Sequence, residues 1–382
     1  MQGFNFIDLP GVRNRVAEIE SDLRAGKSVV IVFPDHAVES GTAEILLAEI
    51  KGRSTNSEWC ASGSAEFPKR LLESFEADDS ELADYAGWDR FTRWPKWGGE
   101  WLVFLSWEHE DTGKVVERWP AQLKASGLAT DVRPRLILAA TLDAVPVNVL
   151  RRVDQNEVAV HWWWGSVDRL DTELCVAVDE NGRTRDALDR AVISEVACWD
   201  LESIGYLAAN WDGRVSTIDI AIEGLRAERG WEGEVLESNA PAGKGHRRPA
   251  TGQLEYWQTG KVERWGGGNR VSPMDATASE LRRRLWLAHS KILMPVVDDH
   301  RAEVERRMSE LVPDHVTDRA RREGNGIVEI GNLRYLFDTG VLRLPRDDGD
   351  ALVKMTKLRN LLAHREPASD DLVVAVREKR TL

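Results

Sequence analysis

The 382-residue chain has only three cysteines, Cys60, Cys175 and Cys198. They are odd in number, far apart and form no C-x-x-C pair, which excludes a disulfide framework and a zinc knuckle and points to a reducing, cytoplasmic setting. No apolar run approaches the ~18 residues that span a bilayer. The opening residues have no basic stretch followed by an apolar core, so no signal peptide and no membrane partner are expected. Basic residues are in deficit, with 51 Lys+Arg against 64 Asp+Glu and a net charge of −13. Tyrosine (4) and phenylalanine (8) are scarce, yet there are 16 tryptophans, an aromatic content that excludes a disordered chain.

Both oddities are uneven along the chain. Fifteen of the 16 tryptophans precede residue 270, leaving only Trp286 after it. Residues 273–382 hold 20 basic and 19 acidic groups, whereas the first 272 hold 31 and 45. A polyanion is repelled by the first part but not by the second. Any nucleic-acid chemistry is therefore sought at the C-terminal end.

Residues 1–165 alternate apolar runs with helical patterns. Ser28–Phe33, Trp101–Trp107, Arg135–Ala140 and Val158–Trp164 read as strands, the first a continuous β-branched run of the kind buried on both faces. Helices are expected at Val16–Arg24, Thr42–Ile50 and Pro120–Ser126, so this part is predicted to be a parallel α/β sheet domain. Residues 166–230 read as a helical subdomain and 231–272 as a Gly-rich linker with short strands at Leu254–Gln258 and Lys261–Trp265. Residues 273–382 read as an all-α bundle. Its first long helix, 275–312, is capped by Asp275 or Thr277 and kinked at Pro295; its last long helix begins after Asp347 or Asp350 and stops before Pro367.

Gly26-Lys27-Ser28 looks like part of a phosphate loop but stands before a strand rather than after one, so it fails on context. The correct position is the loop Pro34–Thr42, where Ser40, Gly41 and Thr42 are the candidate nucleotide contacts. That loop has no lysine, and Asp35 and Glu39 would repel phosphate. Trp101–Glu110 could serve as a strand ending in metal-facing acids, Glu108 and Glu110. On these residues the N-terminal part resembles a degenerate, non-hydrolysing P-loop NTPase domain of the AAA/STAND kind, followed by its helical subdomain. His36, His109 and His161 do not assemble into a metal site by spacing, and no metal or cofactor is expected. Trp162, Trp163 and Trp164 alternate along a strand and either fill a sheet–helix interface or offer a protein partner an aromatic surface.

The sharpest chemical signal is Leu358-Arg359-Asn360-Leu361-Leu362-Ala363-His364. Asn360 and His364 are four apart, so on a helix they share a face, and Arg359 is long enough to converge on it. A permanent cation, an amide and an imidazole suit RNA backbone cleavage: the guanidinium holds the phosphate, and an imidazole moves a proton at the 2′-hydroxyl or the leaving oxygen. Arg284 and His289 repeat the spacing without the asparagine and read as helix-surface or interface residues.

Arg359-Asn360-x-x-x-His364 in the final long helix resembles the R-x4–6-H motif of HEPN domains. That resemblance, over about residues 273–382, implies a helical bundle that dimerises so that two motifs face one composite site. It implies a metal-independent endoribonuclease of a prokaryotic antiviral or abortive-infection system, with Arg359 binding phosphate, His364 transferring the proton and Asn360 supporting. The α/β part would then be a sensor that docks a protein partner. The family also contains non-catalytic members, so a scaffold that dimerises and docks a larger ATPase or nuclease stays open beside the RNase.

Overall fold

A computed structural model describes residues 5–60, 66–105, 107, 112–236 and 247–379. In chain order the elements begin with α1 (Pro10–Arg24), β1 (Ser28–Val32), α2 (Asp35–Glu39), α3 (Thr42–Gly52), β2 (Ser57–Trp59), α4 (Phe67–Ser74) and α5 (Asp79–Tyr85). They continue with β3 (Trp101–Leu105), α6 (Thr112–Ser126), β4 (Arg135–Ala140), α7 (Val147–Leu150), β5 (Val158–Trp162) and α8 (Arg169–Val178). Next come α9 (Ala187–Ala197), α10 (Glu202–Asn210), α11 (Ile218–Glu228), α12 (Leu254–Gln258) and the hairpin β6 (Val262–Trp265) and β7 (Gly268–Val271). The chain closes with α13 (Ala278–Leu311), α14 (Asp314–Glu323), α15 (Ile330–Asp338), α16 (Arg346–Ala363) and α17 (Asp370–Lys379).

The expected parallel α/β sheet is present. Its five strands run in the order β2-β3-β4-β1-β5, every pair parallel. β1 is an interior strand, with Val30 opposite Leu138 of β4 and Val160 of β5, and all five of its residues are buried. This is why its sequence is continuously apolar rather than alternating. The chain leaves β1 toward the β2 edge and later crosses back over β1 from β4 to β5. Right-handed crossovers therefore place the helices after β1 on the face opposite those after β2, β3 and β4. The carboxyl end of β1 is thus a topological switch point, the place where open α/β sheets form a binding crevice.

The chain divides into two compact units, Gly3–Asp171 with Ala240–Arg270, and Thr172–Asn239 with Val271–Leu382. The charge and tryptophan boundary near 270 does not reproduce this division. Residues 247–270 belong to the α/β unit as α12 and the β6–β7 hairpin, so the region read as a linker holds ordered elements, and Leu254–Gln258 is a helix rather than a strand. Most of the stretch read as a separate helical subdomain belongs with the C-terminal helices. Leu188 of α9 shares a core with Leu293, Val296, Val297, Met308, Leu333, Leu352 and Leu358.

In the α/β unit, Phe67, Trp88, Phe91, Phe104 and Trp119 form one aromatic cluster with ring centroids 5.1–6.5 Å apart. In the helical unit, α13 is capped by Thr277, whose hydroxyl accepts the Glu280 N–H at 3.2 Å. The helix continues through Pro295. Leu293, Val296 and Val297, buried around the proline, anchor both sides of it in the core.

Candidate functional site

The carboxyl end of β1 does not form a phosphate cradle. Where a glycine-rich loop is needed, Asp35–Glu39 closes into α2, and Gly41 (φ 73°) turns the chain into α3. The Ser40 and Thr42 hydroxyls hydrogen-bond to each other at 2.9 Å, and that of Ser40 also donates to the Ala37 carbonyl. Burial, then the nearby Asp143 and Glu39 carboxylates, push the Asp35 carboxyl above its usual range. Acids crowded on both sides of the switch point oppose a second polyanion there. Ser28 lies at the other end of β1, buried, its hydroxyl accepting Trp119 Nε1–H (2.8 Å) and Leu136 N–H (3.0 Å). Glu108, His109 and Glu110 lie outside the described residues. His161 is engaged by Asp22 at 3.0 Å, and no metal-binding group of His, Cys, Asp or Glu is found among the described residues.

The tryptophan triplet is interior, which corrects the partner-surface alternative. Trp162, Trp163 and Trp164 are 6%, 6% and 2% exposed. Trp162 packs on Trp257 and Trp163 on Phe33, with centroids 5.4 and 5.8 Å apart, and Arg15 donates to the Trp164 carbonyl. β5 ends at Trp162, and the Trp163 N–H carries the pairing one residue further by donating to the Val32 carbonyl at 2.8 Å.

The C-terminal motif lies on α16. Leu352, Met355, Leu358 and Leu362 are buried, while Asn360 and His364 are exposed on the other side. Val353, Thr356, Lys357, Asn360, Leu361 and His364 fall at i, i+3, i+4, i+7, i+8 and i+11, one face of the helix, and make one wall of an open groove of about 390 Å³. Arg334 of α15 closes it. Thr356 donates its hydroxyl to the Leu352 carbonyl at 2.7 Å, leaving its lone pairs outward. Among the described residues, no carboxylate lines the groove.

Asn360 and His364 are therefore together, as their spacing requires, but Arg359 is beside the groove rather than in it. Its guanidinium lies 4.0 Å from the Glu329 carboxylate and makes a long 3.4 Å contact to Asn360 Oδ1. The two cations of the groove, Lys357 and Arg334, were not singled out by the motif. Lys357 is seven residues before His364 and could have been found by periodicity. Arg334 comes from another helix, so no local spacing reveals it.

The end of α16 fixes His364. Arg365 adopts a left-handed conformation (φ 62°). The Glu366 N–H bonds the Leu361 carbonyl (2.9 Å) and the Arg365 N–H that of Leu362 (3.2 Å), the paired bonds of a Schellman cap. Trp286 of α13 donates its indole N–H to the Leu362 carbonyl at 2.7 Å. Three orphan bonds at one helix end hold the imidazole's backbone in place.

Arg284 and His289, the other pair with this spacing, are buried at 0% and 2% exposure. Arg284 donates to the Val196 carbonyl (2.8 Å), the Val271 carbonyl and Glu280 (3.1 Å). Burial opposes ionisation of Glu280, but Arg283 and Arg284 outweigh it and hold the carboxyl below its usual range. His289 Nδ1 accepts the Ala368 N–H at 3.0 Å, so its proton resides on Nε2. Burial, reinforced by Arg377 and opposed by Asp370, pushes its pKa down to about 4.

No helix among the described residues is long and apolar enough to cross a membrane. No protein-family model and no curated protein matches the chain. Among solved structures, the Thermotoga maritima RuvB Holliday junction branch migration motor is similar over 74% of this chain and 76% of that one, at 9% identity and a TM-score of 0.25. A likeness at that score leaves the fold resting on the strand pairings themselves.

Proposed function

We propose that the helical unit is a metal-independent endoribonuclease of the HEPN type, acting as a homodimer and controlled by the α/β unit in a defence system. The observation that carries the reading is a groove holding an imidazole, an amide, a hydroxyl and two cations, with no carboxylate in its lining among the described residues, on a chain of net charge −13. In the reaction, the RNA 2′-oxygen attacks the adjacent phosphorus as its proton passes to an imidazole. The P–O5′ bond breaks, the leaving oxygen takes a proton from the second imidazole, and a 2′,3′-cyclic phosphate and a 5′-hydroxyl result. One His364 from each copy supplies the base and the acid. Asn360 orients the reacting groups, and Arg359 steadies Asn360.

The position of Arg359 favours a second reading, a non-cleaving scaffold, since its guanidinium lies outside the groove and faces the Glu329 carboxylate. One experiment separates them: tRNA and total RNA incubated in EDTA with wild type and with His364→Ala. The RNase reading expects cleavage ending in cyclic phosphate, lowered by ~10²–10⁴ in the variant. Equal inertness of the two, with cellular partners supplied, leaves the scaffold.

A further inference from the structure

Resting on the RNase reading, we infer that Lys357 and Arg334 are the phosphate-binding cations of the α16 groove, and that Asp338 is a built-in counter-charge that restrains Arg334. Lys357 lines the groove on the same stripe as Asn360 and His364, one and two turns before them. It is exposed and has no ion-pair partner among the described residues, so its ammonium is available to an anion. Arg334 lines the facing wall from α15, but its Nε is held by Asp338 at 2.7 Å, four residues on along the same helix. The Asp338 carboxylate is half-exposed and does not line the groove, so it can be neutralised without altering the wall. Arg359, by contrast, faces Glu329 and is absent from the lining. An RNA backbone laid along α16 thus meets the Lys357 ammonium and the Asn360 amide before the imidazole, the Thr356 hydroxyl proton being held by the Leu352 carbonyl. A phosphate neighbouring the reacting one fits Lys357, since residues 357 and 364 are ~10 Å apart along the helix axis and successive phosphates are several ångströms apart.

The test uses the full chain and a labelled 2′-O-methyl oligoribonucleotide, which has no free 2′-hydroxyl to react. Binding is followed by fluorescence anisotropy across a salt series. Lys357→Ala is expected to loosen binding about tenfold and to lower the slope of log affinity against log salt by about 0.7, the loss of one phosphate contact on a single strand. Lys357→Arg restores both. Asp338→Asn, which releases Arg334, is expected to tighten binding about threefold and to steepen the slope. Lys354→Ala removes a lysine from the same helix that lines a different groove with Asp347 and Leu372, and is expected to leave the slope in place. All three positions are exposed, and unchanged melting temperatures verify the fold. Equal losses in Lys357→Ala and Lys354→Ala, or no tightening in Asp338→Asn, overturn the assignment. Failure of the wild type itself to bind the oligonucleotide overturns the RNase reading with it, whereas wild-type binding untouched by Lys357→Ala removes this inference alone.

Discussion

Two helices of the helical unit carry an arginine five residues before a histidine, and the two pairs have opposite environments. On α13, Arg284 and His289 are enclosed, bonded to backbone groups elsewhere in the unit and, for Arg284, to Glu280 one turn before it. On α16, His364 is exposed at a groove, and Arg359 stands beside it. Spacing alone places both pairs on a helix. What separates them is the helix each sits on: α13 runs through the middle of the helical unit, whereas α16 buries one stripe and leaves the other open. The asparagine next to Arg359 has no counterpart beside Arg284, where a leucine stands.

Substitutions can break this comparison at either end. The largest effect is expected at Arg284. Arg284→Met leaves two buried carbonyls without their donor and Glu280 with Arg283 alone, so stability in urea should fall by about 3–5 kcal/mol. An unchanged unfolding midpoint would contradict the buried reading. The next is at His289. Its folded pKa of about 4 lies below the ordinary value, so the unfolded chain binds the proton first. The stabilisation is complete above pH ~6.5 and is lost as pH falls toward 4, amounting to about 3 kcal/mol. His289→Asn, which keeps an acceptor for the Ala368 N–H, should flatten that dependence; a wild-type stability constant from pH 7 to pH 4 would rule the account out. The smallest effect is at the end of α16. Arg365→Gly relieves a left-handed residue and should stabilise the chain by about 0.5–1 kcal/mol, with the thermal midpoint rising. A falling midpoint would show that the arginine side chain, rather than the backbone, holds the cap.

Much of this organisation is legible in the amino-acid sequence where burial is one-sided or complete. Ser28–Phe33 and Arg135–Ala140 announce central strands because both faces are covered, and Pro367 marks the end of α16. Asn360 and His364 share a face because the helical period requires it. Elements with weak local signals were missed: β2 is a three-residue edge strand, and α4, α5 and α14 are short. The Pro34–Thr42 loop has the length of a phosphate loop, but Asp35–Glu39 folds into a helical turn. The division into units was misplaced because surface charge and tryptophan content follow solvent and core composition, whereas the partition follows which helical faces interlock. Arg334 entered the groove through a tertiary contact, which no spacing within one helix encodes.

The central claim, that equal spacing serves chemistry on α16 and architecture on α13, is tested most directly by measuring RNA cleavage in EDTA and thermal midpoint for His364→Ala and His289→Ala side by side. The account predicts that His364→Ala keeps its midpoint and loses cleavage, whereas His289→Ala loses several degrees and retains cleavage per folded molecule. Cleavage that survives His364→Ala, or that is lost in His289→Ala while the midpoint stays, would contradict it.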